Sequence, residues 1–253
     1  MAQRLILILS FFYSAAMAQT EVYIPQFAHG GGFTNISTTV TIVNQDDGIL
    51  NPARVTVQAF DADGNPADLL LQSAITGDTA VSEVQVEIPG RGTALVESFS
   101  NDPGQLSLGY VKVSSETAVS VEVIFKIFAG MALQTTTSIL PSDPTDAATL
   151  LVNVDSSENI VSSVAVVNSP DAGETATISA TIYDQFGQEV GSGSFDLDPG
   201  QRVAANWAEL VPALEGLVGF VGTAEVTVNV PVAMLPLRQD NIELTTQGIL
   251  PAR

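Results

Sequence analysis

Val55-Thr56-Val57-Gln58-Ala59-Phe60-Asp61-Ala62-Asp63-Gly64 returns 123 positions later as Ile178-Ser179-Ala180-Thr181-Ile182-Tyr183-Asp184-Gln185-Phe186-Gly187. Side chains of an extended chain point to alternate faces, so Val55, Val57 and Ala59 share one face while Thr56 and Gln58 take the other. Each stretch therefore reads as a half-buried strand that ends in a turn, with Gly64 and Gly187 supplying the backbone freedom that a tight reversal needs.

The correspondence continues outward in the same order. Thr41-Ile42-Val43-Asn44 matches Ala165-Val166-Val167-Asn168, and Ile88-Pro89-Gly90-Arg91 is similar to Leu197-Asp198-Pro199-Gly200-Gln201-Arg202. Val111 to Val119 parallels Ala224 to Val232, and Ser138-Ile139-Leu140-Pro141 parallels Gly248-Ile249-Leu250-Pro251. Ordered matches at a nearly constant shift indicate duplication, with loops absorbing the differences. Further alternation at Val84, Val86 and Ile88 and turn formers roughly every ten residues indicate a sandwich. Val121, Val123, Phe125 and Ile127 alternate too, with Ile124 and Phe128 pointing to a strand covered on both sides. The expected fold is all-β: two tandem Ig-like antiparallel β-sandwich domains, residues 21–141 and 148–252, joined by a linker at 142–147. One short helix is expected, with Asn206 capping Trp207 to Leu214 and Pro212 limiting its length.

Residues 1–18 have the three parts of a signal peptide: Arg4, the apolar run Leu5 to Phe12, and Ala16-Met17-Ala18 before a cleavage point between Ala18 and Gln19. The apolar run is too short to span a bilayer. Cleavage removes Arg4 and no acidic residue, moving the formal charge from −20 to −21. Such an excess disfavours nucleic acid and anionic membrane surfaces. The absence of Cys excludes disulfides, thiolate metal sites and thiol nucleophiles. An exported protein without a membrane span in its mature chain is expected, in the periplasm, at the cell surface or in the medium.

Tyr23-Ile24-Pro25-Gln26-Phe27, the run Gly30-Gly31-Gly32-Phe33, Val43-Asn44 and Phe60-Asp61-Ala62-Asp63-Gly64 together resemble the openings of repeated Ig-like domains in secreted bacterial proteins of unassigned function. The resemblance implies fold and export and transfers no functional residues. The second copy departs from it, with Val154 to Ile160 where the glycine run would be.

No residue set carries a reaction. His29-Gly30-Gly31-Gly32 has the form of an oxyanion-hole loop, but GxSxG is missing and His29 is the single histidine, needed elsewhere as base. Asp61-Ala62-Asp63-Gly64-Asn65 begins like a calcium loop, yet Pro66 stands where Gly is required, so a hairpin turn is expected. Weak calcium binding near Asp46 and Asp47 or Asp143 and Asp146 remains open in the millimolar range of extracellular modules. No catalytic carboxylate pair, metal site or other cofactor is nominated. Asn35-Ile36-Ser37 has only the pattern of a glycosylation sequon. For a glycan ligand, Trp207 is the candidate stacking residue, with Tyr183 and Phe186 beside it, against the alternative that Trp207 plugs one end of the second sandwich. These subtractions lead to a non-catalytic structural or adhesive protein that meets an extracellular or envelope protein through sheet faces and edges, with a polysaccharide-binding module as the alternative. A hydrolase or a pilus-type periplasmic chaperone ranks lower.

Overall fold

The structure, a computed structural model, describes residues 20–48, 51–74, 76–99, 104–240, 243–247 and 249. The signal segment, with the Ala18–Gln19 cleavage point, lies outside the described residues. The fold is all-β and antiparallel, as its alternating sequence requires.

In the N-terminal half, strands β1 (Thr20–His29), β8 (Ser107–Ser115), β3 (Ala53–Asp61) and β6 (Glu83–Ile88) lie side by side in that order as sheet A. Sheet B has the order β10 (Ala132–Ile139), β9 (Val119–Ala129), β2 (Thr34–Asn44), β7 (Thr93–Phe99), β4 (Leu70–Ser73) and β5 (Thr79–Val81). Alternate residues of the two sheets meet between them: Val55, Val57, Val111 and Val113 from sheet A, and Val40, Ile42, Val96 and Val123 from sheet B, all buried.

In the C-terminal half, β11 (Thr145–Val154) and β13 (Ala176–Asp184) both pair with the first part of β16 (Phe220–Asp240), and β14 (Glu189–Leu197) pairs with β13. These strands are sheet C. The later part of β16 pairs with β12 (Ile160–Val167) and β17 (Glu243–Thr246), and β15 (Arg202–Asn206) pairs with β12, forming sheet D. The neighbour relations of sheets A and B thus recur, with β11, β12, β13, β14, β15 and β17 in the places of β1, β2, β3, β6, β7 and β10. Where β8 and β9 are separate strands, β16 passes unbroken from one sheet to the other, leaving sheet C at Val232 and joining sheet D at Ala233.

A buried asparagine closes each half in the same way. Asn44 Nδ2 donates to Asn51 O and Ile88 O, and Asn168 Nδ2 donates to Glu174 O and Leu197 O, at 3.0–3.1 Å. Two glycines allow equivalent close approaches: a Cβ on Gly109 would stand 1.8 Å from Phe60 O, and one on Gly222 2.1 Å from Tyr183 O. The halves also differ. The β4–β5 hairpin belongs to the first, and the helix α1 (Trp207–Leu210) with a 3₁₀ turn at Pro212–Leu214 belongs to the second. The helix starts where Asn206 suggested, through a capping box with Glu209.

The halves meet along an apolar seam. Val167 and Ala233 on the outer face of sheet D pack on Tyr23 and Tyr110 of sheet A, with Phe60 against them. Ala165, Leu235 and Leu237 join the first core. Sheet D is therefore covered on both faces, which explains the unbroken apolar runs at 164–167 and 232–237. In β9, where Ile124 and Phe128 suggested such cover, both are only half-buried.

Candidate interaction surfaces

The seam is held by polar contacts as well as by apolar packing. Lys112 Nζ lies 3.1 Å from Glu21 and 2.8 Å from Asp171. Burial works against its charge, but the bonds to Asp171 and Glu21 prevail and hold its pKa above the ordinary lysine value. The Tyr23 hydroxyl meets Ser169 Oγ at 2.7 Å and donates to Glu21. Arg202 is buried with no carboxylate partner among the described residues; its side chain donates to Pro25 O and Gln26 Oε1, and its backbone N–H donates to Ala62 O. Burial pushes its pKa down to about 10. Tyr23 and Ser142 exchange backbone hydrogen bonds at the edge of β1. At the edge of β10, Thr137 donates to Leu244 O and Thr246 donates to Ser138 O. These two sheet edges are thus engaged within the chain.

His29 ends β1 with its side chain buried. Its Nδ1 lies 2.8 Å from Ser98 Oγ, which accepts the Thr38 N–H at 3.0 Å. Burial alone lowers the His29 pKa. This Ser–His pair had no sequence signature, because Ser98 stands 69 residues away on another strand. Both residues lie beneath the surface and, among the described residues, no carboxylate holds the imidazole. The Gly30 N–H, a nominal oxyanion donor, is spent on Ile36 O. The arrangement ties β1 to sheet B and leaves a substrate no approach.

Beyond His29 the first half ends in an apolar tip. Phe33 is 78% exposed on the β1–β2 loop and Met131 is fully exposed on the β9–β10 turn. The two loops touch through a hydrogen bond from Gly130 N to Phe33 O. Leu106 stands close to the backbone at Gly31, and Leu108 and Leu133 are exposed nearby. The corresponding end of the second half is a groove of about 680 Å³ whose wall mixes apolar residues such as Ile160 and Leu214 with Asp155, Asn206, Glu209 and Glu215. Hydrogen bonds from Ser157, its side chain first, keep the Asp155 pKa below the usual carboxylate value.

The sequence-predicted candidates are not brought together. Trp207 is 1% exposed within the second core, so its indole offers no stacking face to a sugar. Phe186 is 78% exposed and Tyr183 half-buried on the opposite sheet. Asp61 Oδ1 accepts the N–H groups of Asp63 and Asn65, and Asp184 Oδ1 those of Phe186 and Gln188, so both carboxylates close turns. Asp46 accepts the Gly48 N–H and Asp47 pairs with Arg91. Among the described residues no three His, Asp or Glu side chains converge on a metal position, and no helix is long and apolar enough to cross a membrane.

The chain matches no family model, no curated protein and no solved structure.

Proposed function

We propose that the chain is an exported, non-catalytic interaction protein of structural or adhesive type, built from two tandem Ig-like units at 21–141 and 148–252 and working through its surface. The observation that carries this reading is the apolar tip. Phe33 and Met131 stand exposed on loops that touch, with the exposed Leu106 against the same loop at Gly31, and adjoining exposed apolar groups mark interaction sites. The recurrence of strand neighbours, of the Asn44 and Asn168 closures and of the Gly109 and Gly222 approaches supports duplication. The intended occupant of the tip is an extracellular or envelope protein, since the exposed side chains that define the tip are apolar.

The test is binding of the purified mature chain, starting at Gln19, to intact cells and envelope proteins of the producing organism. Replacing Phe33, Met131 and Leu133 by Ser is expected to abolish retention while leaving the unfolding midpoint within experimental error. Retention unchanged in that variant would overturn the assignment.

A further inference from the structure

Sulfur is scarce in this chain and unevenly placed. There is no Cys, and of the four methionines Met1 and Met17 precede the expected cleavage point. The other two have opposite surroundings. Met234 has no exposed surface and is enclosed in the second core, whereas Met131 is fully exposed. Among the described residues, Met131 is therefore the one thioether open to solvent.

The backbone fixes that exposure. Ala129 pairs with Ala132, so Gly130 and Met131 form a two-residue reversal between β9 and β10, with Gly130 at φ 60°. Glycine at the first corner suits such a turn, and the side chain at the second corner is left without cover. The turn also lies against Phe33. Gly130 N–H donates to Phe33 O at 2.8 Å, and a Cβ on Gly130 would meet the Phe33 ring at 3.6 Å. Met131 thus stands one residue from the ring that, with it, defines the apolar tip.

A thioether accepts an oxygen atom from a peroxide. The sulfur lone pair attacks one peroxide oxygen, the O–O bond breaks, and the products are a sulfoxide and water; sulfur gives up two electrons and the peroxide takes them. An apolar, polarizable group becomes a polar one, on a surface whose contacts are apolar. No thiol in the chain competes for the oxidant. Hydrogen peroxide is neutral, so a net charge of −20 does not repel it.

We propose that Met131 is an oxidation site through which hydrogen peroxide switches the tip from its binding form to a released one. This rests on the reading of the tip as a protein-binding surface and adds the chemistry that regulates it. Methionine sulfoxide reductases, one for each sulfoxide epimer, reverse the change at the expense of a thiol reductant. Met234, sealed in the second core, keeps its thioether, so the switch acts on binding and spares the fold.

The test treats the mature chain, starting at Gln19, with hydrogen peroxide and follows it by peptide mass spectrometry, retention on a phenyl column and retention on intact cells of the producing organism. Met131 is expected to gain one oxygen atom while Met234 gains none, and the oxidised chain is expected to leave the phenyl column earlier. Retention on cells is expected to fall about tenfold or more, the scale of one apolar side chain lost from an interface. It is expected to return after treatment with both sulfoxide reductases and dithiothreitol. Met131→Leu is expected to show no peroxide-dependent change in either retention. Oxidation of Met234 at the same rate overturns the inference. So do unchanged cell retention of a chain fully oxidised at Met131 and equal peroxide sensitivity in Met131→Leu. An untreated chain that cells never retain overturns the tip assignment itself, and the switch with it, so the two failures are told apart.

Discussion

Truncating Trp207 to alanine separates a structural tryptophan from a sugar-stacking one. The indole is fully enclosed by the second core, where Val164, Val166, Leu214 and Met234 are also buried. Removing a buried Trp side chain costs about 3–5 kcal/mol through lost transfer energy and the cavity left behind. Part of that is returned, because the buried Nε1–H has no hydrogen-bond partner among the described residues. An unsatisfied buried donor costs about 1–3 kcal/mol, so the net loss for Trp207→Ala centres on about 2 kcal/mol. Trp207→Phe keeps most of the ring contact and deletes the orphan donor, so its effect should stay within about 1 kcal/mol. The assay is urea unfolding followed by far-UV circular dichroism, since both variants lose the chain's one tryptophan. A midpoint for Trp207→Ala indistinguishable from wild type would refute the burial argument, as would Trp207→Phe proving as damaging as the alanine.

Asn168→Ala leaves the buried Leu197 carbonyl without its donor and frees the Glu174 carbonyl, and should cost about 1–3 kcal/mol in the same assay; Asn44→Ala should behave alike at Ile88 and Asn51. Gly109→Ala forces a Cβ into Phe60 O and Gly222→Ala into Tyr183 O, so each should destabilise by about 1–3 kcal/mol or more. His29 is held neutral by burial, its folded pKa below 6.5, so the unfolded chain takes up the proton first. Stability should therefore fall as pH drops below about 6.5, and fall less steeply in His29→Asn; equal slopes for the two proteins would contradict this.

The alternation around Val55–Ala59 and Ile178–Ile182 made the strands legible, because burial on one face imposes a period of two that survives without knowledge of partners. The short helix was legible for a local reason too, in Asn206 and Pro212. Contacts between distant strands were not. Ser98 reaches His29 only because β7 and β1 both lie beside β2's end, and no spacing encodes that. Trp207 is the clearest instance: its amphipathic side chain suits an exposed platform and a core equally, and only the enclosing residues decide. The seam was hidden for a related reason. Val167 and Ala233 lie on the outer face of a sheet, and their apolar character reads as ordinary strand composition until Tyr23, Phe60 and Tyr110 are found across from them. The continuous apolar run at 232–237 was the available signal, since a strand open to water on one face would alternate.

The central claim, that the first-half tip meets a protein partner, is tested most directly by photo-crosslinking. The photoreactive amino acid p-benzoylphenylalanine would replace Phe33, with the exposed Glu174 as the control position, and the chain would be expressed and irradiated in the producing organism. A discrete protein adduct at position 33 that is missing at position 174 is the predicted result. Equal labelling at both positions, or adducts at 33 containing only glycan, would contradict the account.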